Sequence, residues 1–322
     1  MRNGRILITG PLGHIGSKFI HNIRPGDFRE VVLLDNLSTQ RYCSLFHLPE
    51  GVPFRFIEAD ICEADLESLC EGVDVVLHLA AITDASSSFE LSEKVEQVNN
   101  EGTRKMARAC ALNGSRLIFL STTSVYGTQQ SVVDETCSEE NLKCQSPYAE
   151  SKLKAEKYLH RMGISDGLNY IVCRFGTIFG TSIGMRFHTA INKFCWQACT
   201  GQAITVWKTA LHQKRPYLDL NDAVRALNFI IETGRFDNQI YNVLTANATV
   251  GEIVDSIQKF VPDSRIEFVD ARVMNQLSYE VSREKFLALG FAFQGNVSDA
   301  IRETINLIRG VRQVDGSAHA KS

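Results

Sequence analysis

The 322-residue sequence lacks the features that would assign it to a membrane or to a nucleic acid. No apolar run is long enough to cross a bilayer, and no hydrophobic signal core precedes the strand-like run that begins near Ile6. A formal net charge of -3 gives no general attraction to nucleic acid or to anionic membranes. We therefore expect a cytoplasmic protein that binds neither nucleic acid nor membrane.

The cysteines lack the spacing of a metal site. The nine cysteines are scattered, and none forms a C-x-x-C pair. Cys195 and Cys199 have helical spacing, but two thiols without further ligands nearby make a poor metal site. We expect reduced, mostly buried thiols and no metal.

The composition is that of a folded globular protein. Hydrophobic residues make up 44% of the chain and charged residues 22%, which argues against extensive disorder. The sequence contains no internal repeat, and its length suggests one large domain or two unequal ones.

A glycine-rich turn follows the first apolar run, residues 5–9. Gly10, Gly13 and Gly16 are spaced G-x-x-G-x-x-G, and a helical pattern continues through Ile23. A strand that enters such a turn before a helix is typical of a dinucleotide pyrophosphate site, because glycine lets the phosphates approach free backbone N–H groups. Ordinary turns also use glycine, so the motif alone is weak evidence.

Asp35 ends the next predicted strand, residues 31–34, roughly twenty residues after the last glycine of the turn. In a dinucleotide-binding unit an acid at this place accepts hydrogen bonds from the adenosine ribose and repels a 2′-phosphate, which favours NAD over NADP. An exposed aspartate at a strand end is the alternative interpretation. The order of strand, glycine turn, helix, strand and acid favours nucleotide binding.

Further buried-looking strands alternate with helical patterns, at residues 54–58, 73–77 and 117–120. This alternation predicts an α/β fold, a Rossmann-type doubly wound parallel sheet. Ligands of such sheets lie beyond the carboxyl ends of the strands, so the small or polar residues that follow each strand are candidates to face a cofactor. His78 precedes such a turn, and we interpret it as structural.

Tyr148 and Lys152 lie four residues apart, after a helix start at Ser146 and Pro147. Residues at this spacing share one helix face, so the phenol and the ammonium can act on the same small volume. A fixed cation beside a tyrosine favours the phenolate, which is the form that acts as a base. A solvated helix face is the alternative for an isolated pair of this kind.

Together these motifs resemble the extended short-chain dehydrogenase/reductases, in particular their nucleotide-sugar epimerase and dehydratase branch. The resemblance runs from the first strand to about Gly180. It is carried by Gly10, Gly13, Gly16, Asp35, Asn36, Leu37, Asp60, Ile61, His78, Leu79, Ala80, Ala81, Asn99, Gly102, Thr103, Thr122, Val125, Tyr126, Gly127, Tyr148 and Lys152.

The resemblance implies NAD as the cofactor and Thr122, Tyr148 and Lys152 as the catalytic residues. Tyr148 would be the general base or acid, Lys152 would hold the nicotinamide ribose, and Thr122 would bind the reacting sugar oxygen. Besides Tyr148 and Lys152, the implied cofactor-binding residues are Gly10, Gly13, His14, Ile15, Gly16, Asp35, Asn36, Asp60, Ile61, Leu79, Ala80, Ala81 and Asn99. A helix N-cap role fits Asn99 equally well.

The resemblance continues more faintly into a substrate lobe. Residues 174–180 resemble R-x-x-N-V-Y-G, and residues 214–222 resemble the R-D-(aromatic) segment of the family. The predicted substrate-binding residues are Thr123, Thr177, Arg186 and Arg215. By the resemblance, Arg215 would bind the substrate diphosphate, for which a planar bidentate cation is suited, although a surface salt bridge is the alternative. In the unusual segment 185–188, Arg186 or His188 is a candidate to read a substrate group, and a helix-start role is the alternative.

The domain organisation follows from these segments. We expect an NAD-binding Rossmann domain with the catalytic residues over 1–180, a mainly substrate-binding α/β lobe interleaved with the sheet over 181–312, and a flexible tail over 313–322. In the lobe, helices are predicted at 187–199, 222–232, 250–260 and 297–308, with strands at 204–206 and 240–243. The family resemblance also implies a homodimer, formed through the helix that carries Tyr148 and the helix after Asn99.

The sequence departs from the family pattern directly after Thr122. The dehydratases of this branch carry an Asp-Glu pair there, whereas this chain has Thr123 and Ser124. Because hydroxyls cannot do carboxylate acid chemistry near neutrality, 4,6-dehydration by that route is not expected. Thr177 and Pro216 replace a family asparagine and aspartate, which leaves the substrate open.

The leading hypothesis is an NAD-dependent nucleotide-sugar epimerase that acts through a transient 4-keto sugar. The alternatives are a nucleotide-sugar dehydrogenase or reductase, a decarboxylase acting on a sugar acid, and a non-catalytic NAD-binding redox sensor. The intact set of Thr122, Tyr148 and Lys152 argues against the sensor, because a sensor does not need a poised base.

Overall fold

A computed structural model describes residues 3–85, 87–127, 129, 132–270 and 279–311 of the chain. The whole of the predicted tail, 313–322, lies outside the described residues. Within the described ranges, no helix is long and apolar enough to cross a membrane.

A seven-stranded parallel sheet forms the centre of the molecule, with the strand order β3-β2-β1-β4-β5-β6-β10. This confirms the predicted Rossmann-type doubly wound α/β fold. The strands of the chain are β1 Gly4–Thr9, β2 Phe28–Asp35, β3 Phe54–Glu58, β4 Val75–His78, β5 Arg116–Thr122, β6 Tyr170–Phe175, β7 Thr177–Phe179, β8 Ile204–Trp207, β9 Lys214–Asp219, β10 Ile240–Val243, β11 Ala246–Thr249 and β12 Ile266–Val269.

Helices cover both faces of the sheet and build the lobe. They are α1 His14–Ile20, α2 Leu66–Cys70, α3 Ser92–Val95, α4 Gly102–Asn113, α5 Pro147–Ser165, α6 Ala190–Cys199, α7 Leu220–Thr233, α8 Val250–Gln258, α9 Glu284–Leu287 and α10 Val297–Ile308. A π-helical turn, Glu96–Glu101, leads into α4, and 3-10 turns occur at Tyr42–Leu45, Ser87–Phe89, Thr123–Tyr126 and Glu139–Asn141.

The strands are apolar along their whole length because the sheet is buried on both faces. On β1, Ile6 and Ile8 join the hydrophobic cluster of one face, while Leu7 joins the cluster of the other. Successive side chains of a strand point to opposite faces, so a continuous apolar run feeds two cores. The chain therefore needs helices on both sides of the sheet, which α1 and α7 supply on one face and α4 and α5 on the other.

The smaller lobe has its own apolar core, in which Phe179, Phe194, Ile253 and Ile301 are buried. A three-stranded sheet of order β11-β9-β7 and the two-stranded pair of β12 and β8 frame it. The chain returns from the lobe to the central sheet at β10, which pairs with β6.

The structure moves several predicted boundaries, including those of the strand at 73–77 and the helix at 187–199. The strand predicted at 73–77 is Val75–His78, so His78 belongs to the strand and is buried between the hydroxyls of Thr9, at 2.8 Å, and Thr103, at 3.1 Å. The helix predicted from 187 begins at Ala190, because Thr189 has the extended backbone of an N-cap.

Candidate active site

A cavity of about 740 Å³ lies at the carboxyl ends of the central strands and extends into the lobe. Of the predicted cofactor residues it is lined by Gly10, Gly13, His14, Ile15, Gly16, Asp35, Asn36, Asp60, Ile61, Leu79, Ala80, Ala81, Tyr148 and Lys152. Thr122, Thr177, Arg186 and Arg215 line the same cavity. The fold thus brings together residues that are more than two hundred positions apart, because parallel strands end at one edge of the sheet.

The glycine turn lies against the loop that follows β4. Gly10 has a φ of +66°, and a Cβ atom there would come within 2.7 Å of the backbone nitrogen of Ala80. A Cβ atom on Gly13 would meet the carbonyl oxygen of Gly10 at 3.4 Å and would otherwise occupy the edge of the cavity. A side chain at Gly13 would therefore fill the space beside the turn. Left open by the glycines, this space forms a cradle of a kind that suits a pyrophosphate.

Asp35 is held by the backbone on either side of it. Its carboxylate accepts hydrogen bonds from the N–H groups of Leu12 at 3.3 Å and Leu37 at 2.9 Å. Burial raises the pKa of Asp35, while these two N–H groups and the Arg41 guanidinium oppose the rise. Asp60, after the neighbouring strand, accepts hydrogen bonds from the Cys62 N–H and from Asn36 Nδ2, each at 2.8 Å.

The three predicted catalytic residues meet where β5 ends and α5 begins. Thr122 is the last residue of β5. Tyr148 and Lys152 lie on the first turns of α5, which begins at Pro147 after the Ser146 hydroxyl accepts a hydrogen bond from the Ala149 N–H at 3.2 Å. The side chains of Tyr148 and Thr122 are hydrogen-bonded to each other. Lys152 Nζ lies 4.7 Å from the centre of the Phe119 ring.

Burial opposes the charged form of both groups. It raises the pKa of Tyr148 to about 12, and the hydrogen bond to Thr122 and the charge of Arg186 partly offset this rise. Burial also lowers the pKa of Lys152 to about 7, and the charge of Glu156 opposes that fall. Arg186 is therefore a cation that favours the Tyr148 phenolate in this structure.

Asn99, predicted to bind the cofactor, does not line the cavity. It lies within the π-helical turn, so it is not a helix N-cap either. Its side-chain oxygen accepts a hydrogen bond from the Ile82 N–H at 2.8 Å, and its amide donates to the Ile82 carbonyl at 2.9 Å and to Ser151 Oγ at 3.2 Å. Asn99 thus links the loop after β4 to α5.

Thr123, predicted to contact the substrate, does not line the cavity either. The 3-10 turn that begins at Thr123 directs its hydroxyl inward, where it donates to the Phe175 carbonyl at 3.3 Å. Ser124 lines the cavity in its place.

Two arginines on the lobe side of the cavity have buried nitrogen atoms without a hydrogen-bond partner, although Arg186 Nη2 donates to Thr83 Oγ1. Arg215 Nε and Nη2 are buried without a hydrogen-bond partner, and its guanidinium carbon lies 5.8 Å from the centre of the Trp207 ring. Arg186 Nε and Thr189 Oγ1 are also buried and unpartnered. Sequence reasoning missed further wall residues, among them Thr83, Asp84, Thr189, Lys193, Trp207 and Tyr279. No motif marks these positions.

Metal binding has no support in the part of the chain that the structure describes. No group of three or more His, Cys, Asp or Glu side chains is arranged there to hold an ion.

Comparison with known proteins links this cavity to a family. Residues 6–243 match the model described as the NAD dependent epimerase/dehydratase family. A trifunctional UDP-glucose 4,6-dehydratase/UDP-4-keto-6-deoxy-D-glucose 3,5-epimerase/UDP-4-keto-L-rhamnose-reductase of Arabidopsis thaliana is 30% identical over 320 residues. That match covers 93% of this chain but 46% of the plant protein, so the chain spans about half of that relative. The uncharacterized UDP-glucose epimerase YtcB of Bacillus subtilis is 30% identical over 264 residues, which cover 79% of this chain and 81% of YtcB.

Solved structures agree with this assignment. The UDP-N-acetylglucosamine 4-epimerase of Methanobrevibacter ruminantium has a TM-score of 0.84 and 25% identity, with 95% of this chain and 98% of that chain covered. The UDP-glucose 4-epimerase of Thermus thermophilus, solved with NAD, has a TM-score of 0.82 and 25% identity, with 95% and 99% covered. With its glycine turn, Asp35 and the Thr122, Tyr148 and Lys152 set on one cavity, the chain belongs to the NAD dependent epimerase/dehydratase family.

Proposed function

We propose that this protein is an NAD-dependent nucleotide-sugar epimerase that acts at the sugar C4 through a transient 4-keto sugar. One observation carries the proposal. The Thr122, Tyr148 and Lys152 set shares a cavity with the glycine turn and with arginine nitrogens that have no hydrogen-bond partner, while hydroxyl residues follow Thr122. This is a site for moving a proton and a hydride on an anionic substrate, without a carboxylic acid directly beside the threonine.

The residues present fit NAD. The cradle at Gly10 and Gly13 would take the pyrophosphate, and Asp35 would take the adenosine ribose hydroxyls. An anionic Asp35 beside the ribose disfavours a 2′-phosphate. When bound, NAD would supply the hydride acceptor and donor that an alcohol-to-ketone exchange requires.

Tyr148 is the proposed base. Its phenolate would take the proton of the sugar hydroxyl, and the phenol would return the proton when the ketone is reduced. Thr122, already hydrogen-bonded to Tyr148, would orient the same hydroxyl. Lys152 and Arg186 would favour the phenolate against the burial that raises the pKa of Tyr148 to about 12.

Arg215 is the proposed anchor of the substrate diphosphate. Its buried and unpartnered Nε and Nη2 atoms are two donors on one planar group, which suits bidentate binding of phosphate oxygens. Lys193 and Thr189 line the same part of the cavity and would add a charge and a hydroxyl. UDP-sugars are named as substrates or ligands of several relatives, which makes them the first substrates to test.

The direct test incubates the purified protein with UDP-, dTDP-, GDP- and CDP-sugars and follows both the sugar product and the absorbance of reduced cofactor. An epimerase interconverts two C4 epimers with no net change in cofactor. Stoichiometric reduced cofactor would instead indicate a dehydrogenase, and loss of carbon dioxide a decarboxylase. A 4-keto-6-deoxy product would indicate a dehydratase and overturn the proposal, and inactivity on the whole panel with tight NAD binding would favour a sensor.

A further inference from the structure

A buried ion pair lies directly behind the proposed catalytic residues. Arg174 on β6 donates to Glu156 on α5 through Nη2 at 2.6 Å and through Nε at 3.1 Å, and each side chain is 3% exposed. The guanidinium also lies over the Tyr126 ring, at 4.9 Å from its centre. A buried pair of this kind gains little net stability, because two charges must leave water, so its presence calls for another explanation.

Glu156 also connects α5 to the strand that carries Thr122. The Ser121 hydroxyl donates a hydrogen bond to the Glu156 carboxylate, and Ser121 pairs with Arg174 in the register of β5 and β6. Thr122 is the next residue on β5. One carboxylate therefore holds the helix of Tyr148 and Lys152 against two strands at the level of Thr122.

The same carboxylate lies one helical turn beyond Lys152. The two residues are four apart on α5, and this spacing places them on one face of the helix. Each residue as a whole is 4% exposed. The Phe119 ring lies near the Lys152 ammonium, the buried and neutral His78 of β4 is close enough to be influenced by its charge, and Tyr148 lies one turn earlier on α5. Glu156 brings the negative charge that favours the charged form of Lys152.

We propose that Glu156 is a positioning residue: held by Arg174 and Ser121, its carboxylate keeps Lys152 charged and sets α5 against the strand end that carries Thr122. This proposal rests on the proposed roles of Tyr148 and Lys152. Its electrostatic part agrees with the pKa of Lys152, which burial lowers to about 7 and which the Glu156 charge raises.

The test compares variants of the NAD-loaded protein. Glu156→Gln removes the carboxylate charge, Glu156→Asp keeps the charge but shortens its reach, and Glu156→Gln with Arg174→Met removes both charges of the pair. Glu150→Gln, on the exposed side of the same helix, is the matched control. The pH titration of Lys152 is read by NMR of carbon-13-labelled lysine, assigned with Lys152→Arg, and is compared with the pH profile of turnover and with the thermal midpoint.

Loss of the carboxylate should lower the pKa of Lys152 by about one unit. The alkaline limb of the pH profile of turnover should move to lower pH by the same amount. The shift in the pKa of Lys152 should persist in the double variant even if the thermal midpoint of that variant matches the wild type. In Glu156→Asp the pKa of Lys152 should lie nearer to the wild-type value. Turnover should nevertheless be slower than in the wild type, because the link to Ser121 is lost.

If the pKa of Lys152 and the alkaline limb of turnover in the double variant match the wild type, the proposal is overturned and the pair has only a structural role. The proposal is also overturned if the pKa of Lys152 is as low in Glu156→Asp as in Glu156→Gln. Failure of the proposed function is separate: it would show as normal turnover of Tyr148→Phe, or as no turnover on any sugar, whatever Lys152 does.

Discussion

At the residue scale, Tyr148 is subject to opposing influences on its proton. Burial raises its pKa to about 12, whereas the hydrogen bond from Thr122 and the positive charge of Arg186 favour the phenolate. A base for use near neutrality needs these stabilising groups together with the lysine one turn away. Several residues from different elements therefore determine whether the phenol can act.

Replacing Tyr148 with Phe should lower turnover by about 10² to 10⁴-fold, because general acid–base catalysis contributes about that much. NAD binding, measured by fluorescence titration, should change little, since the glycine turn and Asp35 remain. Tyr158→Phe is the control on the same helix, where the hydroxyl accepts a hydrogen bond from Arg108 at 2.9 Å away from the cavity. Comparable turnover in the two variants would exclude Tyr148 as the base.

Replacing Arg215 with Met should weaken binding of a free nucleoside diphosphate by about 10- to 100-fold, because hydrogen bonds to charged groups contribute about 1.5 to 3 kcal/mol. Isothermal titration calorimetry with UDP and dTDP measures this directly. Arg235→Met is the control, since Arg235 pairs with Asp237 on the surface at 3.3 Å. Unchanged affinity in the Arg215 variant would remove this residue from the diphosphate site.

At the element scale, the segment before α6 lies on the glycine turn. The Ser182 hydroxyl donates to the His14 carbonyl at 2.9 Å, and the Gly184 N–H donates to Ser17 Oγ at 3.0 Å. A Cβ atom on Gly184 would come within 2.3 Å of the Leu12 carbonyl oxygen. Glycine is therefore required for the segment, residues 182–188, to lie this close to the cofactor cradle.

Gly184→Ala should displace this segment and speed the release of NAD from the purified protein. The effect is measured as the dissociation rate of the bound cofactor after dilution into buffer, with thermal unfolding as a check of folding. Ile183→Ala is the neighbouring control, since the Ile183 side chain is 48% exposed. Equal release rates in the two variants would show that the segment does not retain the cofactor.

At the scale of the whole molecule, buried histidines make stability depend on pH. Burial lowers the pKa of His78 to about 3, and those of His14 and His188 to about 4. Unfolding exposes these side chains, so the unfolded chain binds more protons than the folded one below about pH 6.5. The contribution of these histidines to the free energy of unfolding is complete above about pH 6.5. It is lost as the pH falls toward their pKa values in the folded protein.

His78→Gln should therefore make the free energy of unfolding fall less steeply as the pH decreases from about 6.5 to 4. Denaturant unfolding across this range, at a series of pH values, measures the slope. His160→Gln is the control because His160 is exposed on α5, and its slope should match the wild type. A wild-type slope for the His78 variant would show that His78 does not contribute to acid unfolding.

Homodimerisation remains a prediction that follows from the family resemblance. Leu112 on α4 and Ile164 on α5 are 70% and 76% exposed, on the two helices that the resemblance implies in the interface. We expect sedimentation equilibrium to give the mass of two chains, and Leu112→Arg with Ile164→Arg to shift it toward one. Leu307→Arg, at an exposed position on α10, should leave the assembly unchanged. A single-chain mass for the wild type would contradict the prediction.

The sequence by itself determined the parts of the site that lie within short motifs. Gly10, Asp35, Tyr148 and Lys152 follow local rules of turn, strand end and helix spacing, and these rules also predicted the parallel sheet. Their chemistry depends on neighbours within a few residues, so it can be read without knowing the fold.

Only the tertiary structure decided which other side chains reach the site. Thr123 turns inward and Asn99 lies behind a loop, although both belong to motifs, while Arg186, predicted only as a substrate-binding residue, is close enough for its charge to favour the Tyr148 phenolate. Glu156 meets Arg174 and Ser121 through three different elements. Such contacts arise from strand register and helix packing between distant parts of the chain, and a one-dimensional pattern does not contain these distances.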